Sequence, residues 1–157
     1  MIEILQAETA EQIEETRKLF REYEKWLGLD LCFQGFEEEL KNLPAKYAMP
    51  DGRLFLALVN RETAGCIALR KLQKDVCEMK RLYVRGEFRG FGLGRLLKEK
   101  LIEEARLIGY EKMRLDTLPN KMAQAVKLYK FYGFAEIAPY YKNPHNETLF
   151  LELNLKK

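Results

Sequence analysis

The chain has 157 residues, close to the usual length of one domain, and a chain of this size buries about two thirds of its unfolded surface. Its 47% hydrophobic, 32% charged and 11% aromatic residues are typical of a globular protein and argue against a disordered or fibrous chain. The net charge of +3 comes from 27 basic and 24 acidic residues that are interleaved, which argues against nucleic acid as a partner. We therefore expect a single domain over residues 1–157.

Membrane and metal binding are also disfavoured. The longest apolar runs, such as residues 54–59, are far shorter than the roughly 20 residues that span a bilayer. The first six residues alternate apolar and polar side chains and do not have the pattern of a signal peptide. Cys32, Cys66 and Cys77 lack metal-ligand spacing. We expect a cytoplasmic protein with reduced structural thiols and no bound metal.

The chain opens with a strand and a helix. Residues 1–6 alternate like a strand, and apolar side chains recur at helical intervals over residues 8–27. Thr9 and Gln12 have the spacing of a capping box, which predicts the start of this helix. Gly28 predicts its end.

A short second helix and three strands are predicted next. The helix covers residues 36–43, and a turn signal at residues 50–52 separates it from the first of these strands. The hydrophobic period then changes from helical to alternating. Three extended segments joined by polar turns have the spacing of an antiparallel meander, and they cover residues 53–59, 64–72 and 76–84.

Helices and strands alternate in the second half. Apolar residues at three- and four-residue steps predict the strongest helix over residues 92–108, and Gly109 ends it. A strand over residues 112–118 and a helix over residues 122–132 come next, and Gly133 stops that helix. Two last strands cover residues 134–138 and 148–155. This order predicts an α/β (α+β) fold, a mixed sheet with helices on both faces.

A glycine-rich turn before the strongest helix carries the main chemical signal. Residues 89–94 (Arg-Gly-Phe-Gly-Leu-Gly) present backbone N–H groups with little side-chain bulk at a helix N-terminus, which favours an anion such as pyrophosphate. The hairpin-joined strands before the turn argue against a Rossmann fingerprint, and its Gly-Arg-Leu ending lacks the lysine of a P-loop. A basic cluster that suits a phosphorylated small ligand surrounds it: Lys80, Arg81, Arg85, Arg89 and Arg95.

Two motifs together resemble the GNAT superfamily of acetyl-CoA-dependent N-acetyltransferases. The Arg-X-X-Gly-X-Gly pattern of residues 89–94 is similar to the family's pyrophosphate loop, and residues 125–134 resemble its C-terminal helix with a Gly-Phe exit. The specific resemblance covers residues 77–135, and the order of elements matches over nearly the whole chain. Where many members have an asparagine seven residues before the helix tyrosine, this chain has Met122, with Asn120 nearby.

The resemblance implies both the fold and the place of acetyl-CoA. It implies a mixed, mostly antiparallel central sheet whose fourth and fifth strands splay apart and take the pantetheine arm between them. The preceding strand offers main-chain partners, the glycine loop holds the pyrophosphate, and Asn120 is the candidate for the missing asparagine contact. The implied acetyl-CoA-binding residues are Leu82, Tyr83, Val84, Arg89, Gly90, Phe91, Gly92, Leu93, Gly94, Arg95, Asn120 and Tyr129.

The implied activity is transfer of the acetyl group to a primary amine of a small molecule or peptide, by direct attack in a ternary complex. Such a reaction needs a base for the ammonium and an acid for the departing thiolate. Tyr129, four residues before Gly133, matches the family's helix tyrosine and is the candidate acid.

Glu78 is the candidate base, because its position on the predicted central strand resembles that of the base in some members. An ion pair with Lys80 or Arg81 explains a buried carboxylate equally well. Regular alternation along the strand predicts that Glu78 shares one face with Leu82 and Val84.

Other residues carry two interpretations. Tyr140 and Tyr141 either line the acceptor pocket or pack against the core. Asp116 either attracts a cation in the cleft or caps the next helix. Tyr23 and Tyr132 are predicted to be packing residues.

Two further functions stay open: a catalytically silent acetyl-CoA-binding sensor or interaction module, and an unrelated nucleotide-phosphate binder. The presence of both Glu78 and Tyr129 argues against the silent module. The acceptor amine is not specified by the sequence. Homodimers are common in the family and are an expected option here.

Overall fold

One sheet organises the part of the chain that the computed structural model describes, which is residues 1–28, 31 and 35–156, with backbone only at 120–122 and 124. Its seven strands are β1 Ile2–Gln6, β2 Arg53–Val59, β3 Glu62–Gln73, β4 Val76–Val84, β5 Lys112–Thr117, β6 Ala135–Ile137 and β7 Leu149–Asn154. They lie in the order β1-β2-β3-β4-β5-β7-β6. β4 is therefore central, as predicted.

Strand pairing confirms the mixed, mostly antiparallel sheet. β1 to β4 form an antiparallel meander, and β7 pairs antiparallel with both β5 and β6. β4 and β5 are parallel and pair only between residues 76–78 and 112–114. The later residues of the two strands do not pair with each other, so the strands splay apart as the family resemblance implied.

Helices cover both faces of the sheet, as predicted. They are α1 Ala10–Leu27, α2 Phe36–Lys41, α3 Leu93–Ile108 and α4 Pro119–Phe131. Buried side chains of α1 and α2 pack in one core cluster, and those of α3 and Tyr129 of α4 pack in a second one on the opposite face. No helix among the described residues is long and apolar enough to cross a bilayer.

Local capping signals produce the helix ends. The Gln12 backbone N–H donates to Thr9 Oγ1 at 3.1 Å, and the Thr9 N–H donates to Gln12 Oε1 at 3.0 Å, so the predicted capping box is present. Gly28 ends α1 in the left-handed conformation with φ 70°. Glycine is suited to this position because it has no Cβ to clash there.

Several boundaries differ from the prediction for identifiable reasons. β3 starts at Glu62, two residues early, because Asn60 and Arg61 both adopt positive φ and close a tight turn by themselves. α4 starts at Pro119 because proline is tolerated in the first turn of a helix. Short 3-10 turns, Ala45–Tyr47 and Gly86–Phe88, were not predicted.

A bulge at Arg81 interrupts β4. Arg81 has φ 61°. Lys80 lies opposite Ala68 of β3, whereas Tyr83 lies opposite Cys66. Two intervening residues of β4 therefore face one residue of β3, and the alternation of side chains reverses at this point.

The predicted shared face of Glu78, Leu82 and Val84 is therefore wrong. Leu82 and Val84 pack against the core cluster on the α3 face, whereas Lys80 lies opposite a residue of the α1-face cluster. Glu78 and Lys80 are two residues apart in the regular part of β4 before the bulge, so their side chains lie on the same face. Strict alternation of a strand ends wherever one residue is inserted.

Cys66 and Cys77 are buried free thiols. Burial raises the pKa of both thiols, which keeps them protonated. Cys32 lies outside the described residues.

Candidate active site

A cleft of about 520 Å³ opens where β4 and β5 separate. Its walls come from β4, β5, the glycine-rich loop, the start of α3, the side of α4 and the end of α1. Most of the predicted acetyl-CoA-binding residues line it: Leu82, Tyr83, Val84, Arg89, Gly90, Gly92, Leu93, Gly94 and Tyr129. The loop and the helix tyrosine, forty positions apart in sequence, therefore meet at one site.

Two predicted loop residues lie outside the cleft lining. Phe91 is 56% exposed at the surface. The Arg95 side chain is also exposed, and its Nε atom donates to Glu99 Oε2 at 2.9 Å. The side chain of Asn120 lies outside the described residues, so its predicted contact stays a prediction.

The start of α3 presents unpaired backbone donors to the cleft. Gly92 is the N-cap, with φ 75° and no side-chain hydrogen bond to the first turn. The first hydrogen bond of the helix runs from the Leu96 N–H to the Gly92 carbonyl at 3.1 Å. The N–H groups of residues 93–95 therefore have no acceptor within the helix, which favours an anion at this end.

The predicted basic cluster does not converge on the loop. Four of its side chains are paired with carboxylates: Lys80 with Glu78, Arg81 with Glu39, Arg85 with Glu22 and Arg95 with Glu99. Arg89 stays at the cleft, where its Nε atom donates to the Val84 carbonyl at 3.0 Å. An anion at the start of α3 would therefore be bound mainly by backbone groups rather than by a cationic patch.

Two aromatic residues of α1, Tyr23 and Trp26, line the cleft. The sequence predicts Tyr23 only as a packing residue and gives no prediction for Trp26. The Arg89 guanidinium lies 5.3 Å from the Trp26 ring centroid and 5.9 Å from that of Tyr83. The spacing of three residues, which puts Tyr23 and Trp26 on one side of a helix, was the available signal.

Tyr129 is 5% exposed and turns its ring into the cleft. The ring packs edge-on against Phe134, with centroids 5.5 Å apart. Burial, together with the nearby Tyr23 and Asp116, raises the pKa of the phenol. Tyr129 is therefore protonated at neutral pH, the state that a general acid requires.

A lysine of α3 packs against the same ring. Lys98 is 4% exposed, and its Nζ atom lies 4.8 Å from the Tyr129 ring centroid. Burial lowers the pKa of this ammonium to about 8. The burial of Lys98 is not predictable from the sequence, because a lysine within an amphipathic helix has no local feature that marks it as buried.

Glu78 is 1% exposed and is held by two neighbours. Arg70 Nε donates to its Oε1 at 2.7 Å, and the Tyr140 hydroxyl donates to its Oε2 at 2.6 Å. Lys80 Nζ lies 3.9 Å from Glu78 Oε1. Burial alone raises the pKa of Glu78, but the charges of Lys80 and Arg70 and these hydrogen bonds outweigh it, and the pKa is lowered.

This environment favours the ion-pair interpretation of Glu78. Arg70 is its nearest partner, the predicted partner Lys80 lies 3.9 Å away, and Arg81, the other predicted partner, pairs with Glu39 instead. Glu78 is not among the residues that line the cleft. Lys80 does line it, and burial together with the Arg81 charge lowers the pKa of Lys80 to about 8.

Asp116 is the carboxylate that lines the cleft. Its Oδ2 accepts a hydrogen bond from the Tyr141 hydroxyl at 2.5 Å, and that hydroxyl accepts one from Asn143 Nδ2 at 2.9 Å. The alternative that Asp116 caps α4 is wrong, because the N-cap of α4 is Leu118 and no side-chain cap is present.

Tyr140 and Tyr141 pack edge-on against Phe150, each with centroids 5.2 Å apart. Neither is among the residues that line the cleft. They act on the site indirectly, since each hydroxyl binds one of the two carboxylates, Glu78 or Asp116.

Comparisons with known proteins agree with this geometry. The family model "Acetyltransferase (GNAT) family" matches residues 12–134. An uncharacterized N-acetyltransferase of Schizosaccharomyces pombe is 39% identical over 99% of this chain and 96% of its own length. A second one, from Dictyostelium discoideum, is 34% identical over 95% of this chain and 97% of its own length. An N-acetylaspartate synthetase of Danio rerio is 33% identical over 63% of this chain but only 36% of its own length.

Solved structures share the fold. A GNAT-family acetyltransferase of Staphylococcus aureus superposes with a TM-score of 0.80 at 23% identity, over 99% of both chains. A GNAT-family acetyltransferase of Elizabethkingia anophelis with acetyl-CoA bound superposes with a TM-score of 0.56 at 25% identity, over 66% of this chain and 76% of that one. On the family match and the two nearly full-length relatives, this chain belongs to the GNAT family and is an acetyl-CoA-dependent acetyltransferase.

Proposed function

We propose that the enzyme transfers the acetyl group of acetyl-CoA directly to a primary amine of a small molecule or peptide within a ternary complex. The observation that carries the proposal is the convergence of three features on one cleft. These are the unpaired N–H groups at the start of α3, the protonated Tyr129 and the carboxylate of Asp116.

Two features of the cleft support acetyl-CoA as its ligand. The backbone N–H groups of Leu93 and Gly94 suit the pyrophosphate of acetyl-CoA. The main-chain groups of residues 82–84, in the part of β4 that no longer pairs with β5, suit the pantetheine arm. A Cβ added at Gly94 would have nothing within 4 Å, so the space beside its backbone is open to a ligand. Acetyl-CoA supplies the thioester carbonyl carbon as the electrophile.

Proton transfers are assigned to residues of this chain. Asp116 takes one proton from the acceptor ammonium, and the free nitrogen forms the new C–N bond as the C–S bond breaks. Tyr129 donates its phenolic proton to the departing sulfur, and the second proton released by the amine restores the phenol. Glu78 is the competing candidate for the base. It is not among the residues that line the cleft, so the acceptor's proton would have to pass the lining residues to reach it.

One residue of the cleft and one relative favour a particular class of acceptor amine. Lys80 brings a positive charge to the cleft, which favours an acceptor that carries a carboxylate beside its amine. The similarity to an N-acetylaspartate synthetase supports amino acids as the first acceptors to screen.

A panel of amines with acetyl-CoA tests the proposal. The panel should contain amino acids, dipeptides, polyamines and aminoglycosides, with CoA release measured by a thiol reagent and the acetylated product by mass spectrometry. We expect saturable turnover with at least one primary amine. Thermal stabilisation by acetyl-CoA without turnover on any amine would instead support the silent binding module.

A further inference from the structure

Lys98 is a charged residue at a buried position of α3. It follows Leu97 on α3, whose side chain is fully buried in the core, and it is itself 4% exposed. Across the ranges that the structure describes, Lys98 makes no ion pair and no side-chain hydrogen bond, and its one charge-related contact is with the Tyr129 ring, 4.8 Å from Nζ. A buried ammonium without a counter-ion is unfavourable, and an apolar side chain would fill the same space without that cost.

We propose that Lys98 is a positioning residue for the reaction, holding a positive charge against the Tyr129 ring so that the phenol gives up its proton more readily to the departing sulfur. The proposal rests on the acid role that the proposed function gives to Tyr129. It adds a second residue, on a different helix, to the acid side of the mechanism.

The electrostatic reason is the direction of each neighbour's effect on Tyr129. Burial, the Asp116 carboxylate on β5 and the Tyr23 phenol on α1 all raise the pKa of the Tyr129 phenol and so weaken it as an acid. A cation over an aromatic face stabilises the ring, and stabilises the negative phenolate more than the neutral phenol. Lys98 therefore opposes the other three effects.

The charge on Lys98 is itself sensitive to pH. Burial is the cause that lowers its pKa to about 8, and no charged neighbour contributes to the shift. As the pH rises through this value, Lys98 loses its proton and the support for Tyr129 disappears. We therefore expect kcat to fall on the alkaline side, with an apparent pKa near that of Lys98.

Three variants test this in the full-length enzyme. Lys98→Met keeps the length of the side chain without the charge, and we expect kcat to fall about tenfold and the alkaline limb to disappear. Lys98→Arg keeps a charge that does not titrate in this range, so kcat should be retained and the limb should move to higher pH. Lys100→Met is the matched control, because Lys100 lies on the same helix, 5.9 Å from the Phe55 ring centroid, and should change neither quantity.

A measurement without acetyl-CoA reports on the same contact. With ring-labelled tyrosine, the ¹³C resonance of Tyr129, assigned from the spectrum of Tyr129→Phe, should shift as the pH passes through the pKa of Lys98. The same resonance should be flat over that range in Lys98→Met. A flat resonance in the unmodified enzyme would contradict a charged contact between the two side chains.

The outcomes separate this proposal from the proposed function. Full turnover by Tyr129→Phe would remove the acid role and this proposal with it. A slow Tyr129→Phe beside a Lys98→Met with normal kcat would overturn the role of Lys98 alone. If the alkaline limb persists in Lys98→Met, it belongs to another group, with Lys80 the first candidate. If Lys98→Met and Lys98→Arg lose kcat equally, Lys98 acts through packing rather than charge. Either result overturns the proposal.

Discussion

Arg81 and Glu39 form a buried, two-pronged ion pair, with Nε to Oε2 at 2.8 Å and Nη2 to Oε1 at 2.9 Å. Both side chains are 2% exposed. The pair joins α2 to the bulge in β4, directly beside the cleft. The positive φ of Arg81 is thus held in place by a contact to a helix that lies about forty positions earlier.

Removing one member of this pair should be strongly destabilising. Glu39→Gln leaves the Arg81 guanidinium buried without its counter-ion, and we expect the free energy of unfolding to fall by about 3 kcal/mol. Urea denaturation measures the loss. Glu37→Gln is the control, because Glu37 lies on the same helix as Glu39 but forms an exposed pair with Arg21 of α1, which should contribute less than about 1 kcal/mol. Equal losses in the two variants would contradict the buried pair as the source of stability.

Gly94 offers a cleaner test of the anion site than Gly92 does. Gly92 has φ 75°, so any side chain there strains the backbone, whereas Gly94 has an ordinary helical φ and open space around an added Cβ. Gly94→Val should leave the fold intact and weaken acetyl-CoA binding about tenfold or more by blocking approach to the backbone. Trp26, the single tryptophan and a residue of the cleft lining, provides a fluorescence signal for the titration.

The control for this variant is Gly86→Val. Gly86 also has open space around an added Cβ, and it lies outside the cleft lining. Unchanged acetyl-CoA affinity in Gly94→Val, or an equal loss in both variants, would argue against the start of α3 as the pyrophosphate site.

Tyr129→Phe should separate chemistry from packing. The ring and its contact with Phe134 remain, and only the phenolic proton is lost, so kcat should fall by roughly 10² while acetyl-CoA binding and stability change little. Tyr132→Phe is the matched control, since its hydroxyl bonds Glu99 at 3.0 Å and it is not among the residues that line the cleft. Near-normal kcat in Tyr129→Phe, on a substrate for which chemistry is rate-limiting, would leave Tyr129 as a packing residue.

Two carboxylate variants decide which group is the base. Asp116→Asn should lower kcat/KM by about 10² to 10³, because Asp116 lines the cleft and the amide cannot accept a proton from the acceptor. Glu78→Gln should mainly lower stability, because Arg70 loses its counter-ion. The reverse pattern, with the large loss of kcat/KM only in Glu78→Gln, would favour the base predicted from the sequence.

Lys98→Met should stabilise the free protein at neutral pH. The pKa of Lys98 is about 8 in the folded protein and near 10.5 for an ordinary lysine. The folded state therefore binds this proton less tightly than the unfolded state does, and it is penalised increasingly as the pH falls from about 10.5 to about 8. Below pH 8 the penalty is complete, and the methionine variant should be more stable by about 1 kcal/mol or more.

Denaturant unfolding at pH 7 and pH 10 measures this difference, which should shrink at the higher pH. Lys100→Met should show no comparable gain, because Lys100 is 40% exposed and lies 3.5 Å from Glu104. A methionine variant less stable than the unmodified protein at both values would contradict an uncompensated buried charge.

Local signals in the sequence were sufficient to predict the helices, the strands and the glycine-rich loop. The Thr9–Gln12 capping box and the glycine stop at Gly28 involve residues within a few positions of each other, so their geometry depends little on the rest of the fold. The glycine-rich loop is local in the same sense. Its backbone donors are available because a helix start leaves N–H groups without an intrahelical acceptor, and the glycines add little side-chain bulk around them. The tertiary structure places these donors at the cleft.

The environment of the reacting groups was decided by the tertiary structure. Two adjacent charged residues, Lys80 and Arg81, break the polar-apolar alternation of this strand, but a break of this kind does not by itself specify an inserted residue. The bulge at Arg81 places Glu78 on the face opposite Leu82 and Val84. The helix that holds Arg81 in this conformation comes from a distant part of the chain.

The same holds for the charges that tune the site. Arg70 reaches Glu78 across a strand pair, and Tyr141 reaches Asp116 from a loop more than twenty positions away. Lys98 meets Tyr129 only because α3 and α4 pack on one face of the sheet. The sequence by itself determined which elements form and which loop offers its backbone to an anion, because those depend on neighbouring residues. The partners and burial that set each proton affinity depend on contacts between distant segments, and only the folded chain decides them.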